Sequence, residues 1–320
     1  MRSMGKIYIS GEIPKIGYEL LKEHEVEIYR GKELITEEEL GEKIVDADAL
    51  LCPLSTPVTR NVLEKAKNLK IIANFGAGFN NIDVSYAKEN NIVVTNAPGV
   101  STEATAELTM GIILAVTRRI PEGDQLCRTV GFNGWAPLFF LGRELTHKTL
   151  GIIGLGSIGQ AVAKRAKAFG MHIIYTSPRR KSREIEEACD ATYVSLDELL
   201  HQSDIVSIHA PYNASTHHLI TLKQLENMKK NAFLVNVSRG AVVKESDLVA
   251  ALQNNMIAGA ALDVFEFEPS ITEELKQMQN VVLTPHIGNA TIEARNAMAE
   301  LTAKNIIQVL NGEKPLTPVN

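Results

Sequence analysis

Short apolar runs alternate with amphipathic stretches along the first hundred residues. Runs at 6–10, 26–29, 49–52, 70–74 and 92–95 are too short for buried helices, and turn residues bound them, so they read as strands. Between them, 14–23, 37–45, 59–66 and 84–89 carry the 3.6-residue spacing of helices. Thr36 followed by Glu39 has the capping-box spacing that starts the second of these. Regular strand-helix alternation predicts parallel strands joined by helical crossovers, a doubly wound α/β domain. Asn96-Ala97-Pro98-Gly99-Val100 is punctuation and predicts a crossing between domains. A long helix follows from 102 to about 119, apolar almost all round, and Pro121 is expected to end it. From 123 to 147 the pattern is irregular and holds the single tryptophan, Trp135, and the run Pro137-Leu138-Phe139-Phe140-Leu141. Clustered apolar residues without periodicity suggest an arm, about 121–147, that meets a second subunit.

A second alternating series begins at 149, with strands at 150–153, 171–176, 205–209, 232–237, 257–263 and 281–284, and a further capping-box spacing at Thr221 and Gln224. The last helix, 292–310, stops at Asn311-Gly312 and is expected to return to the first domain. The organisation is therefore two doubly wound parallel-sheet domains. Residues 1–100 with 288–320 form one, flavodoxin-like and assigned to substrate. Residues 101–287 form the other, a Rossmann dinucleotide-binding domain.

Composition narrows the class of protein. The chain has 320 residues, 45% hydrophobic and 22% charged, with a net charge of −5, so no broad basic surface points to nucleic acid or an anionic membrane. No apolar run approaches membrane-spanning length. Three scattered cysteines (Cys52, Cys127, Cys189) have no metal-ligand spacing and fit reduced thiols in a cytoplasmic protein.

Residues 149–170 read TLGIIGLGSIGQAVAKRAKAFG. A glycine triplet alone is weak, but here Gly154, Gly156 and Gly159 follow a strand and open a helix. Gly154 permits the turn, Gly156 lets a pyrophosphate approach the backbone, and Gly159 lets helix and strand pack closely. Ser157 and Ile158 complete the turn, whose free N–H groups face the phosphates. An acidic residue about 20 positions after the first glycine would select NAD(H) through the ribose hydroxyls. That position falls on Thr176 or Ser177, with Arg179, Arg180 and Lys181 just beyond. Hydroxyls and arginines suit a 2′-phosphate, so NADP(H) is favoured, with NAD(H) as the alternative.

Three later stretches carry chemistry. Arg239 follows a predicted strand, at the end where α/β folds bind ligands, and its fork suits a carboxylate. His286 follows the last strand in Thr284-Pro285-His286-Ile287-Gly288. Between them, Asp263-Val264-Phe265-Glu266-Phe267-Glu268-Pro269 offers acids that could hold an imidazole ring and favour its charged form. Taken singly, each has a structural reading as a surface arginine, a capping histidine or a loop acid.

Together they resemble the D-isomer-specific 2-hydroxyacid dehydrogenases over nearly the whole chain. The matching segments are Gly76 through Asp83, Thr105-Ala106-Glu107, the glycine turn, His209-Ala210-Pro211, Asn236 through Gly240, Asp263 through Pro269, and Pro285 through Gly288. Within that family the chain is most similar to the glyoxylate/hydroxypyruvate reductases. The resemblance implies that Arg239 holds the substrate carboxylate together with the N–H groups of Ala77 and Gly78. It implies that His286, paired with Glu268 rather than Glu266, protonates the forming alkoxide, and that Asp263 binds the nicotinamide amide. Thr105, Ala210, Pro211, Val237 and Gly288 would line the cofactor groove, while Leu54 and Ser55 would touch substrate. Domain closure would exclude water. The resemblance further implies a homodimer, with Phe139 reaching toward the pocket of the second subunit. Small 2-keto acids, glyoxylate and hydroxypyruvate, are the expected substrates. A reductase of another 2-keto acid such as 2-ketogluconate, or a dinucleotide-sensing corepressor-like protein, are the competing readings.

Overall fold

A computed structural model describes residues 4–320, which divide into two compact units: the chain up to Ser101 together with Ala290–Asn320, and Thr102–Asn289.

In the first unit the apolar runs become β1 (Lys6–Ile9), β2 (Glu25–Ile28), β3 (Ala49–Pro53), β4 (Ile71–Phe75) and β5 (Val93–Thr95). They pair in the order β2-β1-β3-β4-β5, all parallel. Every residue of β4 is buried, as a strand covered on both faces requires. One face packs against Leu40, Ile44, Val62 and Ala87 from the crossover helices. The other packs against Met298, Ala299, Ala303 and Ile306 of helix Ile292–Leu310, which also contacts helix Lys15–Leu21. The capping box is present: Glu39 N–H donates to Thr36 Oγ1 at 3.2 Å and Thr36 N–H donates to Glu39 Oε2 at 3.1 Å.

The second unit holds β6 (Thr149–Ile153), β7 (His172–Thr176), β8 (Ala191–Tyr193), β9 (Ile205–Ile208), β10 (Phe233–Asn236), β11 (Gly259–Leu262) and β12 (Val281–Leu283). The order is β12-β11-β10-β9-β6-β7-β8, again parallel throughout. The order reverses beside β6, between β7 and β9, so a crevice opens at the carboxyl ends of β6 and β9. The long helix, Thr102–Arg118, buries Ala106, Met110, Ile113 and Val116 and packs on helix Ser157–Ala168, β10 and β11. Arg165 bridges the two helices, at 2.7 Å from Glu103 and 3.1 Å from Glu107.

Two expectations are corrected here, the helix stop at Pro121 and the irregular stretch from 123, whose first residues up to Arg128 are helical. Pro121 does not end a helix but lies in the first turn of a new one, Ile120–Arg128. A missing N–H costs nothing in a first turn, and the break falls instead at Arg119, whose φ of 56° cannot continue a right-handed helix. Arg119 is fixed there by a fork onto Glu122 (2.8 and 2.5 Å) and by the Phe140 ring beneath its guanidinium at 4.1 Å. Strand β8, three residues long, carried no run that the apolar pattern could register. Beyond Arg128 the chain is irregular and exposes Trp135 (86%) and Leu138 (84%), while Phe132 and Phe139 stack with centroids 6.4 Å apart.

Candidate functional site

The second unit gathers its chemistry in loops that leave neighbouring strands. After β12 the chain turns at His286, whose φ of 52° is rare for a residue with a Cβ. Asp263, directly after β11 and 1% exposed, holds this turn. Its Oδ1 accepts from Thr284 Oγ1 (2.7 Å) and Ile287 N–H (2.8 Å), and its Oδ2 accepts from Gly288 N–H (2.8 Å). The Asp263 carbonyl accepts from His286 N–H at 2.9 Å. The imidazole is thus presented by a turn anchored independently of the ring.

Glu268 meets that ring: its Oε2 lies 2.8 Å from His286 Nδ1, and its Oε1 accepts from Phe265 N–H at 2.9 Å. Burial raises the Glu268 carboxyl, but the hydrogen bond and charge of His286, the Phe265 N–H and the charge of Arg239 together outweigh it. The net effect is a carboxyl below its ordinary range, ionised at neutral pH. Arg239, at the end of β10, donates to the Ser238 carbonyl at 2.7 Å and is half-buried. Burial lowers its pKa while Glu268 pulls it back up, so the cation stands within electrostatic reach of the His286–Glu268 pair. His286, Glu268 and Arg239 are brought together in one unit.

Glu266 has a different partner. It lies 2.5 Å from His218 Nε2, and it exchanges two bonds with Glu245: Glu266 N–H to Glu245 Oε1 (2.6 Å) and Glu245 N–H to Glu266 Oε2 (2.9 Å). Glu245 is 2% exposed and opens helix Glu245–Gln253, where the helix dipole favours negative charge. Sequence reading missed this brace, because Lys244-Glu245-Ser246-Asp247 looks like a solvated helix start.

The glycine turn fits a dinucleotide's pyrophosphate. Gly154 has φ 97°, and a Cβ there would meet the backbone of His209 and Ala210 at 2.8–3.0 Å. A Cβ on Gly159 would lie 2.3 Å from the Gly154 carbonyl oxygen, so only glycine lets the helix start this close. Around Gly156, by contrast, the space a side chain would fill is open. Ser157 opens helix Ser157–Ala168 and is exposed, while Ile158 packs against the unit's core. Thr105 lies beside the His286 turn: a Cβ on Gly288 would sit 3.2 Å from Asp263 Oδ2 and 3.4 Å from Thr105 Cγ2. Ala210 and Val237 are buried and Pro211 exposed. His209, not singled out from sequence, has Nε2 2.8 Å from Ser207 Oγ, and burial pushes its pKa down to about 3, so it stays neutral.

In the first unit, Leu54 packs over Gly76, where a Cβ would meet its Cγ at 2.6 Å. The loop carrying Leu54 and exposed Ser55 therefore adjoins the loop carrying Ala77 and Gly78, of which Ala77 is exposed and Gly78 half-buried.

Comparison with known proteins gives the family. The model of the D-isomer specific 2-hydroxyacid dehydrogenase NAD binding domain matches residues 110–288. A Staphylococcus epidermidis protein, provisionally named a 2-hydroxyacid dehydrogenase, is 58% identical over 318 residues, covering 99% of this chain and 100% of its own. The chain belongs to the D-isomer specific 2-hydroxyacid dehydrogenases. Among solved structures, a glyoxylate reductase from Paecilomyes thermophila is similar at a TM-score of 0.88 and 32% identity, over 99% of this chain and 98% of that one. The NADPH-dependent glyoxylate/hydroxypyruvate reductase of Sinorhizobium meliloti, in complex with NADP and malonate, is similar at 0.86 and 33%, over 99% and 97%.

In this dehydrogenase the end of β7 carries Thr176 and Ser177 and no carboxylate. Ser177 Oγ donates to the Arg179 carbonyl at 2.7 Å, which turns the loop, and Arg179 is exposed. Arg180 is committed elsewhere, forking onto Glu186 through two 2.9 Å bonds. Tyr175 Oη also donates to Glu186 at 2.6 Å, and the bonds from Arg180 and Tyr175 take the Glu186 carboxyl down to about 2. Sequence spacing alone could not reveal Glu186, because it comes from the next helix, Arg183–Cys189.

Proposed function

We propose that this dehydrogenase reduces small 2-keto acids, glyoxylate and hydroxypyruvate foremost, to D-2-hydroxy acids with NADPH as the favoured donor. The observation that carries the reading is the Nδ1–carboxylate pair of His286 and Glu268 at 2.8 Å with Arg239 beside it. With Nδ1 held by an ionised carboxylate, the ring is oriented and Nε2 is left to meet the substrate oxygen. Arg239 orients the substrate by its carboxylate, and the N–H groups of Ala77 and Gly78 are carboxylate donors of the other unit. Glu268 holds the ring, Asp263 holds the turn, and Oδ2 keeps a lone pair for an amide. Gly154, Gly156 and Gly159 with Ser157 and Ile158 hold the pyrophosphate, and Thr105, Ala210, Pro211, Val237 and Gly288 flank the rest of the cofactor. When bound, the reduced nicotinamide supplies the hydride. The division of labour follows: the unit of residues 102–289 carries cofactor and acid, and the unit containing helix Ile292–Leu310 carries substrate contacts. The exposed apolar arm around Trp135 and Phe139 supports a homodimer.

The test is a matrix of keto acids against NADPH and NADH, followed at the nicotinamide absorbance. Turnover of glyoxylate or hydroxypyruvate with a higher kcat/KM for NADPH is expected, and inactivity with both substrates rejects the reading. The donor preference has its own lever. Glu186 neutralises Arg180, so replacing it by glutamine removes an anion and frees a fork for a 2′-phosphate. Glu186→Gln is expected to raise the NADPH/NADH ratio of kcat/KM by about fivefold. An unchanged ratio would show that this loop does not read the phosphate.

A further inference from the structure

Three successive carbonyls in the loop after β4 are tied down by asparagine side chains. Asn74 Nδ2 donates to Gly76 O (3.3 Å) and Gly78 O (2.6 Å), and Asn96 Nδ2 donates to Ala77 O at 2.6 Å. Gly76 O accepts a second bond, from Ala97 N–H at 2.8 Å. A carbonyl oxygen can only accept, so these bonds fix which end of each amide faces the loop. Asn74 is a fully buried polar residue in an apolar strand, and its Oδ1 in turn accepts from Asn81 Nδ2 at 3.4 Å. Asn96 is braced through its own backbone: its N–H donates to Thr317 O (3.3 Å) and its carbonyl accepts from Thr317 Oγ1 (2.6 Å). Thr317 is held by the buried Asn305, 2.9 Å from its Oγ1 and 3.2 Å from its N–H.

The planar trans peptide turns this into a statement about the other side of the loop. In each unit C=O and N–H point in opposite directions. Drawing the Gly76 carbonyl toward Asn74 and Ala97 turns the Ala77 N–H away from them. Drawing the Ala77 carbonyl toward Asn96 does the same for the Gly78 N–H. Neither N–H has a hydrogen-bond acceptor among the described residues. Carbonyl dipoles that would repel an anion are occupied, and two backbone donors are left without a partner, as an anion-binding nest requires.

We propose that Asn74 and Asn96 are positioning residues that set the 76–78 loop to receive a carboxylate, acting through its backbone and not by touching substrate. This rests on the reading above that the loop takes the substrate carboxylate. Asn96 is the usable probe, because it is half-buried and its backbone bonds survive a change of side chain.

The experiment uses full-length protein labelled with nitrogen-15 at alanine and glycine, saturated with NADPH and titrated with oxamate, an unreduced shape mimic of a 2-keto acid. In the wild type the amide signals of Ala77 and Gly78 are expected to shift to saturation. In Asn96→Ala the oxamate Kd and the keto-acid KM should each rise about tenfold, the effect of one lost ordering hydrogen bond, with kcat within about threefold and NADPH affinity unchanged. Asn96→Gln, which keeps the amide donor, should recover part of the loss, whereas Asn96→Asp, which sets an acceptor against the Ala77 carbonyl, should bind worse than alanine. Equal oxamate Kd and KM in wild type and Asn96→Ala overturns the proposal and leaves the carboxylate site standing. Oxamate that inhibits the wild type without moving either amide overturns the carboxylate reading itself.

Discussion

Replacing His286 by alanine should lower kcat by about 10³-fold or more while leaving NADPH binding intact, as read by steady-state kinetics and by nicotinamide fluorescence titration. A positioned general acid is worth about 10²–10⁴-fold, and no neighbour can take over here. Glu268 is held ionised, its carboxyl below the ordinary range, and so has no proton to give at neutral pH. Arg239, although burial lowers its pKa, is a cation whose proton stays on. The turn itself should survive, because Asp263 binds it through Thr284, Ile287 and Gly288 and through the His286 backbone, none of which involves the ring. The left-handed backbone at position 286 is tolerated better by histidine than by alanine, a small cost beside the four bonds that hold the turn. A variant that keeps a tenth or more of wild-type kcat would remove His286 from the proton-transfer step. Loss of NADPH affinity in parallel would assign it a structural part.

What could be read from the sequence was whatever local patterning dictates. The β4 run IIANF and the β6 run TLGII are short, apolar and bounded by turns, so both strands were legible, as was the turn whose glycines are required by close backbone approach. Local pattern failed where one residue type serves opposite ends of a helix. Pro121 terminates or initiates with equal ease, and what decided between them was Arg119 and its fork onto Glu122, a tertiary arrangement with no sequence mark. The site divides the same way. Arg239 and His286 follow strands within three residues, yet singly they read equally as structural, and Glu268 was separated from Glu266 only by family resemblance. Glu245, Glu186 and Asn74 do their work through partners 21, 6 and 4 residues away, and each sits in a context that reads as helix surface or strand interior. Supporting residues of this kind are chosen by the fold's geometry, so they become visible only once the chain is folded.

Gly240→Ala should have the other large effect, and its reason lies in backbone against backbone. A Cβ at position 240 would come within 1.8 Å of the Phe265 carbonyl carbon, 1.9 Å of its oxygen and 2.3 Å of Glu266 N. No side-chain rotation relieves such an overlap, so the 265–266 peptide has to move by more than an ångström. That peptide is where the site is braced. Glu266 N–H binds Glu245, Glu245 N–H binds Glu266 in return, and Phe265 N–H binds the same Glu268 that holds His286. Displacing it breaks the reciprocal pair, leaves the buried Glu245 carboxylate short of a donor and draws Glu268 off the imidazole. A loss above about 4 kcal/mol is the expected size for overpacking joined to an unsatisfied buried charge. At about 2–4 °C per kcal/mol for a domain of this size, calorimetry should record a fall in Tm of about 10 °C or more. Whatever protein remains folded should show kcat/KM reduced at least about a hundredfold, since the acid has lost its partner. Gly111→Ala is the matched control, because a Cβ there meets nothing within 4 Å and alanine favours the helix Thr102–Arg118. If Gly240→Ala melts and turns over like that control, the loops bearing Arg239 and Glu268 are not pressed together as described, and the carboxylate brace behind His286 loses its physical basis.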